Sequence, residues 1–217
     1  MIRFKYYTME DIEKFAEQPI TRQLILSILK KYKRPYDKVN ELVKQGKLIL
    51  VRRGVYMTGL KTNIKKPEPF LLANHLMGPS YISLESALSY WGLIPEKVFE
   101  TTSVTTEKAA VYKTPAGRFS YTKIALPYYA FGIKQLELTP KQHVIIATPE
   151  KALFDKIITT SGLLLRSTKQ AKELLMEDLR MDREVLRNLN IKKMETWIKE
   201  APKKSSLNIL IKTLKSL

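Results

Sequence analysis

The chain has 217 residues, 44% of them hydrophobic and 9% aromatic, a globular composition long enough for one large domain or two modest ones. Its 38 Lys and Arg against 21 Asp and Glu give a formal charge of +17, more than solubility requires, which favours a polyanionic partner, nucleic acid before a membrane surface. The lack of cysteine excludes disulfides, thiolate zinc sites and cysteine nucleophiles, and no stretch of about 18 apolar residues or secretory pattern occurs, so a cytoplasmic protein is expected.

Thr8 and Asp11 predict a capped helix with an acid in its first turn, running to about Glu17, with Pro19 ending it. Thr21 can cap a second helix, in which Leu24, Ile25, Ile28, Leu29 and Tyr32 recur at helical spacing. Pro35 opens a third helix to about Gln45, with Val39, Leu42 and Val43 as its apolar stripe and Gly46 where a left-handed cap belongs. Leu48 to Val51, a tip of Arg52-Arg53-Gly54, and Val55 to Met57 then read as a β-hairpin. Three helices followed by a hairpin is the order of a winged helix-turn-helix, expected over residues 1–60.

In that architecture the third helix enters the major groove. The side chains opposite its stripe are Asp37, Asn40, Glu41 and Lys44, flanked by Lys38 and Gln45. Asn40 is suited to adenine and Lys44 to guanine or phosphate, while the two acids sit awkwardly beside a polyanion unless they accept from cytosine. Arg52 and Arg53 at the hairpin tip predict minor-groove or phosphate contacts, and Arg22 a phosphate contact beside backbone N–H groups at the start of the second helix. The DNA-binding set expected is therefore Arg22, Lys38, Asn40, Lys44, Gln45, Arg52 and Arg53; the bland alternative for each is a solvated surface.

Periodicity lapses between Gly59 and Pro69, which places a boundary there, with a second domain over 67–217. A helix is expected at about 68–77, then Tyr81-Ile82, then a helix capped by Ser83 with Leu84, Ala87, Leu88 and Trp91 on one face and Gly92 closing it. Strands are expected at 101–105, 118–126 and 144–147, with Thr114-Pro115-Ala116-Gly117 as a turn. Thr148-Pro149-Glu150 combines a cap, a first-turn proline and an acid. From about Ser167 the tail is helical, carrying Leu174, Leu175 and Leu179, then Met194, Trp197 and Ile198, then Leu207, Leu210, Ile211 and Leu214. The fold class expected is α+β, with a small mixed sheet.

Enzyme chemistry finds little to use. His75 and His143 are isolated, His75 reading as core, and no P-loop, G-x-G-x-x-G or G-x-S-x-G occurs. No cofactor or metal is expected. Lys151 and Asp155, four apart, read as surface support for their helix. A metal-dependent nuclease built from Glu85, Glu150 and Asp155 is the weakest of the alternatives; a winged-helix regulator sensing a ligand is the other. Tyr81, Tyr90 and Tyr121 can stack on RNA bases or simply pack.

Three segments in order carry a resemblance: Lys44 to Tyr56, Tyr81 to Glu96, and Thr148 to Lys156, supported by Thr114 to Tyr121 and by Phe131-Gly132. Together they resemble the signatures of AbiEi-type antitoxins, over most of the chain but less clearly in the last fifty residues. The resemblance implies an autorepressor of a bicistronic phage-defence toxin–antitoxin operon. Its N-terminal domain would bind promoter DNA, and its C-terminal effector domain would counter a nucleotidyltransferase toxin without a stable complex. The basic second domain leaves RNA open as a further partner.

Overall fold

The computed structural model describes residues 8–59 and 65–217. Its class is α+β, helices with a mixed sheet, as expected. The N-terminal part holds helices α1 (Thr8–Glu13), α2 (Arg22–Ile28) and α3 (Pro35–Lys44) and a three-stranded sheet, β1 (Ile20–Thr21), β2 (Leu48–Arg52) and β3 (Val55–Thr58), in the order β1-β3-β2. Thr21 caps α2 by accepting from the Leu24 amide at 3.2 Å, and Gly46 adopts φ +69 after α3. The first helix stops at Glu13 in place of about Glu17, and the side chain of Thr8, the expected cap, lies outside the described residues.

The larger part is built on a six-stranded sheet. Its strands are β4 (Ser80–Ile82), β5 (Glu100–Thr105), β6 (Ala110–Thr114), β7 (Gly117–Lys123), β8 (Ile133–Thr139) and β9 (Gln142–Ala147), in the order β6-β7-β5-β4-β9-β8. The β4–β9 and β5–β7 pairs are parallel and the others antiparallel. Helices α4 (Pro69–Leu76), α5 (Leu84–Tyr90) and α6 (Pro149–Thr159) cover it, and α7 (Thr168–Glu173), α8 (Arg183–Arg187), α9 (Ile191–Trp197) and α10 (Lys204–Leu214) form the tail. Thr148 and Ser167 cap α6 and α7 through their hydroxyls.

Two apolar clusters result. Ile12, Ile20, Ile25, Leu29, Val39, Leu42, Leu48 and Tyr56 form the smaller. The larger gathers the sheet, its helices and the tail, including Leu175, Met194, Trp197, Leu207 and Leu210. The hairpin serves both, because side chains alternate across a strand. Leu48 and Tyr56 point into the small cluster, while Val51 and Met57 belong to the large one.

Candidate nucleic-acid interface

The α3 sequence puts Val39 and Leu42 into the core, so its opposite face looks outward by helical periodicity. Asp37, Asn40, Glu41, Lys44 and Gln45 line one shallow depression along that face. The two acids that sit awkwardly beside a polyanion each have a cationic neighbour three residues before them. Lys38 Nζ reaches Glu41 Oε1 at 2.7 Å, and Arg34 lies 3.8 Å from Asp37. Gln45 Nε2 also donates to Glu41 Oε1 at 2.8 Å. The Lys38 hydrogen bond, reinforced by its charge and by Gln45, holds the Glu41 carboxyl below its ordinary range, although slight desolvation opposes it. Asn40 and Lys44 make no side-chain hydrogen bond or ion pair among the described residues.

The two tip arginines part company. Arg52 turns back, donating from Nη1 to the Leu76 carbonyl with its guanidinium 4.2 Å from the Tyr112 ring centroid. Arg53 is exposed and unpaired among the described residues. Arg22 is half-buried, and its own amide donates to the Gly54 carbonyl at 2.9 Å while Thr21 takes the Leu24 amide. Two of the backbone N–H groups expected beside Arg22 are thus engaged within the fold.

Two features escaped the sequence reading. Tyr36, in the first turn of α3, is 62% exposed, and Asn40 and Lys44 follow it at four-residue intervals on the same face. Just ahead of α3, Lys30, Lys31, Lys33 and Arg34 are all exposed. That charge run was legible in the sequence, whereas Tyr36 could as well have been core.

The second polar cluster is internal and corrects an expectation. Lys151 and Asp155 on α6 are fully buried, 3.0 Å apart, so they are a core pair and do not support the surface of their helix. Asp155 also accepts from Tyr81 Oη at 2.9 Å, Ser83 Oγ at 2.8 Å and Tyr128 Oη at 3.1 Å. Lys151 Nζ donates to the Tyr128 carbonyl at 3.0 Å and lies 3.3 Å from that ring's centroid. Burial pushes the Asp155 carboxyl up and the Lys151 ammonium down, opposed in each by the partner's charge. Ser83 therefore begins α5 without capping it through its side chain, because its hydroxyl is turned to Asp155. Gly132 seals the cluster: at φ +61, a Cβ there would meet Trp197 at 2.6 Å and Lys151 at 2.8 Å.

The carboxylates considered for a nuclease are held apart by separate partners. Glu85 pairs with Lys156 at 2.5 Å, Glu150 accepts from the Asn190 amide at 3.0 Å, and Asp155 is enclosed as above. Among the described residues no three His, Cys, Asp or Glu side chains gather for a metal. His75 is exposed, a correction to its reading as core: α4 buries Leu71, Leu72, Ala73 and Leu76 and leaves His75 on the other side. His143 is exposed, 3.6 Å from Glu137. Tyr81 and Tyr121 are buried, Tyr121 donating to the Ala73 carbonyl at 2.7 Å, so neither is open to a base; Tyr90 is 43% exposed. No helix among the described residues is long and apolar enough to cross a membrane.

No protein-family model matches the chain, and no curated protein matches it. A likeness to a solved structure gives the fold: the crystal structure of the RV2827C protein from Mycobacterium tuberculosis superposes with a TM-score of 0.64. The two are 13% identical, over 95% of this chain and 75% of that one. The likeness extends over both the three-helix part and the sheet.

Proposed function

We propose that the chain is a DNA-binding regulator, its residues 8–59 acting as a winged helix-turn-helix whose α3 enters the major groove of promoter DNA. One observation carries this reading. The outward face of α3 has its acids paired with Lys38 and, more loosely, Arg34 and leaves Asn40 and Lys44 uncommitted, with Arg53 exposed on the adjoining hairpin. An amide at that position can pair with adenine and an ammonium with guanine or phosphate. The charge of +17 supplies the electrostatic background.

The biological setting comes from the resemblance: an AbiEi-type antitoxin that represses its own operon and counters a nucleotidyltransferase toxin, without chemistry of its own. In support, the Tyr81–Glu96 and Thr148–Lys156 segments that carry the resemblance meet in the Tyr81–Ser83–Lys151–Asp155 cluster, giving those residues a shared physical purpose. A footprint of the purified chain on its own promoter tests the reading. A protected stretch that disappears with Asn40→Ala plus Lys44→Ala is expected; uniform, unprotected cleavage would refute it.

A further inference from the structure

A cleft on the larger part stands apart from α3 and from the buried cluster. It is lined by Phe70 at the start of α4, by Ser86, Ser89 and Tyr90 on α5, by Phe99 and Glu100 entering β5, and by the β6–β7 turn at Ala116-Gly117. Phe99 is 85% exposed and Tyr90 43%, an unusual outlay of aromatic surface unless something covers it. The rings continue beyond the cleft: Phe70 meets Tyr90 edge-on at 5.9 Å, and Tyr90 meets Trp91 at 4.8 Å. Two cations lie on rings of this region, Lys134 4.2 Å from the Trp91 centroid and Lys97 5.7 Å from that of Phe99.

The polar groups of the cleft determine what kind of ligand suits it. Ser86 and Ser89 donate inward, to the carbonyls of Glu100 and Glu96. Glu100 is neutralised by Arg118 at 2.8 Å, leaving Glu68 as the carboxylate at the α4 end, against the two lysines. The cleft thus presents aromatic rings, with Lys97 over Phe99 and Lys134 over Trp91 beside it, and its two serine hydroxyls are engaged by backbone carbonyls. Rings stack on any base, and lysines follow a phosphate backbone without reading its sequence. Duplex DNA does not offer its ring faces in this way, since its bases are stacked on one another.

We infer that this cleft is a second nucleic-acid site, which binds single-stranded RNA or DNA by stacking bases on Phe99 and Tyr90 between Lys97 and Lys134, largely without sequence preference. It is independent of duplex recognition by α3.

The test uses the full chain and fluorescence anisotropy with labelled oligouridylate and oligodeoxythymidylate of about 12 nucleotides, and a duplex of about 20 base pairs, all at about 50 mM salt. Phe99→Ala, at so exposed a position, leaves folding intact by circular dichroism, and is expected to weaken single-strand binding about tenfold, with Phe99→Trp restoring it. Duplex binding stays unchanged in Phe99→Ala, while Asn40→Ala plus Lys44→Ala has the converse effect, so that either site can fail without the other. Stronger binding of one of the two oligonucleotides tells RNA from DNA. Three results would overturn the inference: no oligonucleotide binding by the parent, equal single-strand affinity in parent and Phe99→Ala, or concentration-dependent self-association that Phe99→Ala abolishes, which would make the occupant a second copy.

Discussion

Two lysine–carboxylate pairs on helices, with nearly equal lengths, serve opposite ends in this molecule. Lys38 and Glu41 meet at 2.7 Å on the outer face of α3, and Lys151 and Asp155 at 3.0 Å inside α6. In the outer pair water screens both charges, and on the proposed DNA-binding face the ammonium would mask an acid from approaching phosphate. The inner pair is sealed from bulk solvent, and each charge depends on the other and on the hydroxyls of Tyr81, Ser83 and Tyr128. Spacing alone therefore does not say whether a pair tunes a surface or holds a core; burial decides.

The largest effect should come from breaking the inner pair. Lys151→Met leaves a buried carboxylate without its counter-charge and should cost about 3–5 kcal/mol, while Lys151→Met combined with Asp155→Leu should recover part of that loss. The pH dependence has a definite sign. With its folded carboxyl raised above the ordinary 3.8, Asp155 binds more protons folded than unfolded between those two values, so stability falls as pH rises through that window. Removing Lys151 widens the window, and the melting-temperature gap between Lys151→Met and the parent should narrow as pH falls from about 7.5 towards 5. A gap that is independent of pH would argue that the loss comes from packing.

Next in size is Gly132→Ala, which forces a non-glycine residue to φ +61 and a methyl into Trp197 and the Lys151 stem. A loss of about 2–4 kcal/mol in denaturant unfolding is expected, combining strain with overpacking. Gly46→Ala, where a Cβ would meet nothing, should cost only the backbone strain, about 1–2 kcal/mol.

Smaller still is the contrast between the tip arginines. Arg52→Ala removes a hydrogen bond and a ring contact between the hairpin and the larger part, and should cost about 1–2 kcal/mol of stability. Arg53→Ala should cost less than about 0.5 kcal/mol and instead weaken DNA binding. Equal effects of both on DNA binding would mean that Arg52 leaves Tyr112 in the complex, and an unchanged stability of Arg52→Ala would mean that the clamp contributes nothing to the free protein.

Much of the N-terminal part was legible because its signals are local: Thr21 as a cap, Pro35 and Gly46 bounding α3, and a Gly-containing turn between two apolar runs. The same holds for Thr148 before α6. Strands β6 and β8 were not foreseen, since both lie at sheet edges, where Val111, Lys113, Lys134 and Gln135 face solvent and no apolar alternation marks them. The Lys151–Asp155 pair was misplaced for a different reason. Its hydroxyl partners come from β4, from the residue before α5 and from the short helical turn at 128–130, contacts that only the tertiary fold brings to α6. Arg52 was likewise readable as a tip residue but not as a clamp, because Leu76 and Tyr112 lie 24 and 60 positions away.

The smallest stability effect belongs to the outer pair, and it leads to the decisive experiment. Glu41→Gln should leave the melting curve unchanged yet tighten binding to promoter DNA, since it releases Lys38 to the phosphates and removes an acid from the approaching face. The most direct test of α3 as a DNA-binding surface is therefore a salt titration of promoter affinity for the parent and for Asn40→Ala plus Lys44→Ala, between about 50 and 200 mM. A steep fall in affinity with salt for the parent, and a weaker, shallower fall for the variant, is the expected result. Superimposable curves for the two proteins, or an affinity for the parent that changes less than about threefold across the range, would contradict it.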